Sequence, residues 1–94
     1  MQDLDEISSK KLLNNVLAEI VKKHRQALKK SIYAVSAECS LAKNTWRDVE
    51  LQICKDPAFS TIWKIAEGLD MYPDELIKEV REKLGDKFSL SGLE

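Results

Sequence analysis

Ser31-Ile32-Tyr33-Ala34-Val35-Ser36-Ala37-Glu38-Cys39-Ser40-Leu41-Ala42-Lys43-Asn44-Thr45-Trp46-Arg47-Asp48-Val49-Glu50 holds two short helical patterns separated by three residues. Ser31 offers an N-cap to a helix over Ile32 to Cys39, in which Val35 and Cys39, four apart, face inward. Ser40-Leu41-Ala42 is too short to be anything but a tight turn. A further short helix runs from Lys43 to Glu50. In it Trp46 and Val49, three apart, point to the core, while Lys43, Asn44, Arg47 and Asp48 look outward. That outer face is wholly polar.

The flanks read as helix too. Leu12, Leu13, Val16, Leu17, Ile20, Val21, His24 and Leu28 form an apolar stripe on a helix over residues 9–29, with Ser8 or Ser9 as cap and Lys29-Lys30 breaking the stripe. Downstream, Leu51 to Phe59 is a loop containing Asp56-Pro57. Ser60 then caps a fourth helix lined by Ile62, Trp63, Ala66 and Leu69. Pro73 at a first helical position, with Asp74 and Glu75 complementing the helix dipole, opens a fifth, which carries Leu76, Ile77, Val80 and Leu84. Gly85 is placed to end it. The weak alternation of residues 86–94 fits an extended arm, a strand added to a partner, or disorder.

The 94 residues are 44% apolar and 33% charged, with three Gly and two Pro. One small globular domain, 1–94, is expected, with too little chain for a two-domain enzyme. No run reaches the roughly 18 apolar residues of a membrane span. Met1-Gln2-Asp3-Leu4-Asp5-Glu6 is acidic where a signal peptide is basic and then apolar, so a cytoplasmic protein away from membranes is expected. Cys39, Cys54 and His24 fall short of a four-ligand zinc set, so free structural thiols are expected and neither metal nor other cofactor is implied. His24 lies on the apolar stripe, as a partly buried structural histidine does, and no acid or nucleophile is assigned beside it. With no Gly-rich phosphate loop either, an enzyme is not expected.

The net charge of −1 hides a division: residues 1–21 carry −2, residues 22–55 carry +5 and residues 56–94 carry −4. The middle bases are Lys22, Lys23, Arg25, Lys29, Lys30, Lys43, Arg47 and Lys55. One basic segment between acidic flanks suits either a docking face for phosphate or solvated helix charges.

Two short helices joined by a tight turn, the second polar on its outside, are the helix-turn-helix arrangement, whose second helix enters the major groove. The order of residues from Arg25 to Ile77 resembles the XRE, or lambda-repressor-like, helix-turn-helix family of Cro and repressor type. Arg25 stands for the arginine ending that family's first helix and Ser31 for the serine opening its second. Val35-Ser36 stands for its Leu-Ala, Ser40-Leu41-Ala42 for its Gly-Val-Ser turn, and Val49-Glu50 for its Ile-Glu. Asp56 to Leu69 follows its Pro-Ser-x-x-Thr-Leu-x-Lys-Ile-Ala-x-x-Leu with one-residue shifts, and Asp74-Glu75-Leu76-Ile77 its closing helix. Ile32, Ser40, Ala42 and Gln52 depart from it: they replace a phosphate-touching glutamine, the turn glycine, the recognition-helix cap and the glycine after Glu50.

The resemblance implies an all-α, five-helix bundle with a family-like core at 25–77, an N-terminally extended first helix and a short C-terminal tail. It also implies a transcriptional regulator, a repressor, that binds double-stranded DNA. Lys43, Asn44, Arg47 and Asp48 would read base edges, since Arg or Lys matches guanine, Asn matches adenine, and Asp accepts from cytosine or orients Arg47. Lys30, Ser31, Thr45 and Lys55 would meet phosphates. Trp46 is read as core, as is Trp63, and Glu50 as a partner for a basic residue such as Arg25. Leu12, Leu13, Val16 and Leu17 extend the stripe beyond what a small bundle easily covers, so with Leu84, Phe88 and Leu90 they are expected to form a homodimer interface. Burial by the fifth helix and tail is the other way to cover them. Two other functions fit the same chain: an antitoxin-like or mobile-element regulator that also binds a protein partner, and an interaction module that has lost DNA affinity.

Overall fold

Five helices make up the regular structure of the computed structural model, which describes residues 4–91: α1 (Leu4–Ala27), α2 (Ile32–Glu38), α3 (Lys43–Glu50), α4 (Phe59–Gly68) and α5 (Pro73–Leu84). No strand occurs among the described residues, and no helix there is long and apolar enough to cross a membrane. Met1, Gln2 and Asp3 at the acidic start, and Gly92, Leu93 and Glu94 of the tail, lie outside the described residues.

The long α1 is the spine against which α3 and α5 pack, while α2 rests on α3 and α4. Val16, Leu17, Ile20 and Val21 of α1 join Val35, Trp46, Val49, Ile65, Leu76 and Val80 in one core, and at about 25 cal/mol per Å² this apolar burial is the main term favouring the folded state. Val16 and Leu17, expected at a dimer interface, are thus covered by the chain itself, being only 5% and 6% exposed. The fifth helix and tail do part of this: Val80 and Leu90 border the same small hollow as Leu17, about 160 Å³ in volume.

Local signals set most boundaries. Ser31 is extended and its Oγ accepts the Ala34 amide at 3.1 Å, so it caps α2 as its residue type demands. The Ala42 side chain leaves α3 without such a cap. α1 starts at Leu4, ahead of the expected residue 9, because no Gly or Pro interrupts that stretch. It stops at Ala27, where Lys29 turns left-handed with φ 57°. Ser40, Gln52 and Asp70 take the same conformation at φ 59°, 61° and 59° after α2, α3 and α4, and Gly85 ends α5 at φ 88°. A Cβ in this region carries strain that glycine would avoid.

α4 differs from expectation in two linked ways. It begins at Phe59 with Ala58 as its uncapped N-cap, so Ser60 lies inside the first turn. Trp63, read as core, is 47% exposed. The cause is Gly68, which is buried where α4 passes α2: a Cβ there would sit 2.9 Å from Trp46 Cζ3, 3.1 Å from the Val35 carbonyl oxygen and 3.2 Å from Cys39 Sγ. Turning Gly68 and Ile65 inward rotates the helix so that Ile62, Ile65, Ala66 and Leu69 form the seam and Trp63 points to water.

Gly68→Ala should therefore destabilise the fold by about 1 to 3 kcal/mol, because overpacking against a buried indole outweighs the gain of about 1 kcal/mol in helix propensity. Urea denaturation reads the difference, and an alanine variant as stable as the parent would refute the close approach.

Candidate nucleic-acid interface

The geometry of α3 follows from what locks its inner side. Trp46 is fully buried and donates its indole N–H to Glu50 Oε2 at 2.7 Å, one helical turn on. The same carboxylate takes Arg25 Nε at 2.6 Å and Nη2 at 3.0 Å, and Arg25 Nη1 reaches the Lys30 carbonyl at 3.0 Å. Glu50 thus closes α3 and ties it to the end of α1, as the expected pairing with Arg25 requires. The hydrogen bond to Glu50 holds the Arg25 guanidinium above its ordinary pKa. Helix α3 is clamped at one end and packed by Trp46 and Val49 beneath.

Its other side is open. Lys43, Asn44 and Arg47 are exposed, and Asp48 is half-buried beside them. Arg47 Nη2 donates to Asp48 Oδ1 at 3.2 Å. An exposed pair of this kind is worth only about 0 to 1 kcal/mol, so it directs the guanidinium without immobilising it. Thr45 is half-buried on the same helix.

The phosphate candidates divide. Ser31 is exposed at the start of α2, its Oγ engaged in capping. Lys55 is exposed in the loop after α3, and its carbonyl accepts Asn14 Nδ2 at 2.8 Å, which moors that loop to α1. Asn14 escaped the sequence reading because a polar residue on a helix gives no sign of a partner 41 positions away. Lys30 is not free: its Nζ sits 2.9 and 3.0 Å from the two carboxylate oxygens of Glu38, whose hydrogen bond raises the lysine's pKa, with Asp70 adding to the field. Ile32 packs against the core.

Elsewhere, Lys23 lines a hollow with Glu19, Ile20, Glu79, Glu82 and Lys83, so charges of both signs border it. His24 Nε2 lies 2.7 Å from Glu79 Oε2, joining α1 to α5. Cys39 is buried, which pushes its thiol pKa up, and Cys54 is half-buried; both are free thiols. Among the described residues no three His, Cys, Asp or Glu side chains gather as a metal site would require. Comparison of the chain with family models, with curated proteins and with solved structures yields no match.

Proposed function

We propose that this chain is a sequence-specific double-stranded-DNA-binding regulator, a repressor of lambda-repressor-like helix-turn-helix type, with α3 in the major groove. The observation that carries the reading is the outer face of α3, where Lys43, Asn44 and Arg47 stand uncovered while Trp46, Val49 and Glu50 fix the helix from behind. A rigid helix with solvent-facing donors meets groove edges without first ordering itself. Lys55 and Ser31, on either side of α3 in sequence, supply phosphate contacts that set its register.

Two copies on one duplex fit the remaining apolar surface. Leu12 is 48% and Leu90 41% exposed. Leu13, Leu84 and Phe88 line an open groove of about 410 Å³ between α1 and α5. These five, without Val16 and Leu17, are the proposed dimer contacts.

Selecting bound duplexes from a random pool and weighing the complex tests both claims. On a selected site, Arg47→Ala should lose about 1 to 3 kcal/mol and relax preference at particular base pairs. Lys55→Ala should instead weaken all duplexes about equally. The reading fails if no sequence is enriched, or if both variants bind the selected site like the parent.

A further inference from the structure

Three aromatic rings stand in water on the α4–α5 side of the molecule: Phe59 is 70%, Trp63 47% and Tyr72 73% exposed. Phe59, Trp63 and Glu67 follow at four-residue intervals and so form one ridge along α4. The two rings meet edge-to-face, with centroids 5.9 Å apart and planes at 76°, which sets the orientation of the indole. Beyond that pair, Trp63, Met71, Tyr72 and Pro73 wall an open groove of about 710 Å³ whose remaining lining is Glu67 and Asp70.

The charges on this groove are of one sign. Neither Glu67 nor Asp70 makes an ion pair among the described residues. Lys30, whose charge Asp70 senses, is already taken by Glu38. Asp74 and Glu75 open α5 next to Tyr72, and Glu75 accepts the Tyr72 amide at 2.8 Å. Aromatic faces and carboxylates both attract cations, so the two features of the groove favour the same visitor. DNA phosphate would be repelled. Two copies meeting through this face would set Glu67 and Asp70 against their own counterparts, which like-charge juxtaposition disfavours. The groove is also too open to enclose a small molecule, and suits a side chain borne on an extended segment.

We propose that this groove docks a cationic segment of a separate protein partner: an arginine or lysine flanked by aliphatic residues. The cation lies against Trp63 and Tyr72, Glu67 and Asp70 balance its charge, and the aliphatic neighbours cover Met71 and Pro73. None of the residues lining it belongs to α3.

The test uses the full chain and two capped hexapeptides, Ser-Leu-Arg-Leu-Arg-Ser and Ser-Leu-Glu-Leu-Glu-Ser, followed by the indole N–H resonances. Trp46 is buried and bonded to Glu50, so it serves as an internal reference. The arginine peptide should shift the Trp63 signal saturably and leave Trp46 unmoved, while the glutamate peptide moves neither. Trp63→Ala, and separately the double variant Glu67→Gln with Asp70→Asn, should each weaken the arginine peptide at least about fivefold. Equal response to both peptides would reduce the groove to a merely apolar surface and overturn the proposal. So would a Trp63 signal that moves on dilution alone while sedimentation shows a dimer dissociating, or no saturable shift with the arginine peptide at millimolar concentration.

Discussion

Glu50→Ala is expected to lower the unfolding free energy by about 3 to 5 kcal/mol, the range for removing one partner of a buried ion pair. The Glu50 side chain is 4% and that of Arg25 14% exposed, and the carboxylate holds three donors at 2.6 to 3.0 Å. Alanine would strand a guanidinium and an indole N–H, and the unmet desolvation of the charge is the larger loss. The arginine cannot escape by giving up its proton, since its ordinary pKa is already far above neutrality.

The attraction between the partners is not what makes the loss large. Replacing both, Arg25→Met with Glu50→Leu, removes the charge together with its counter-charge, and should leave the protein more stable than Glu50→Ala alone. Urea denaturation of the parent, the single and the double variant closes the comparison. A loss under about 1 kcal/mol for the single variant would mean that water reaches Arg25 and that α3 is not clamped through it.

The same network shows what a sequence discloses. Trp46 and Glu50 are one helical turn apart, and α3 begins and ends at Lys43 and Glu50 as its pattern requires, because a tight turn, an apolar pair and a polar face all agree there. Ser31 was legible as a cap for the same reason. Trp63 was not: apolar spacing alone placed it inside, whereas the rotation of α4 is set by Gly68 approaching Trp46, a contact 22 positions apart. Nor was the capture of Lys30 by Glu38, since the two lie on opposite sides of the α2 cap and neither shares a helical face with the other. Side-chain pairing across a chain bend is decided by packing, and it is there that the proposed phosphate contacts change.

That capture bears directly on salt dependence. Lys29, Lys43, Arg47 and Lys55 are exposed cations of the basic segment around α2 and α3, and Lys30 is paired with Glu38. Counting all four cations in the phosphate field, the base-reading Lys43 and Arg47 included, gives a log-log slope of about −3.6, so raising salt from 50 to 200 mM should weaken a selected duplex about 150-fold. Glu38→Gln keeps the shape of the side chain, removes an anion and releases Lys30. The slope should then steepen to about −4.5, with tighter binding of all duplexes, selected or random, because a lysine on phosphate reads no sequence. If the parent slope were shallower than about −2, too few cations would meet the backbone for α3 to be seated in a groove. If Glu38→Gln left the slope unchanged, Lys30 would lie away from the nucleic acid, and only Lys29, Lys43, Arg47 and Lys55 would remain to carry the charge.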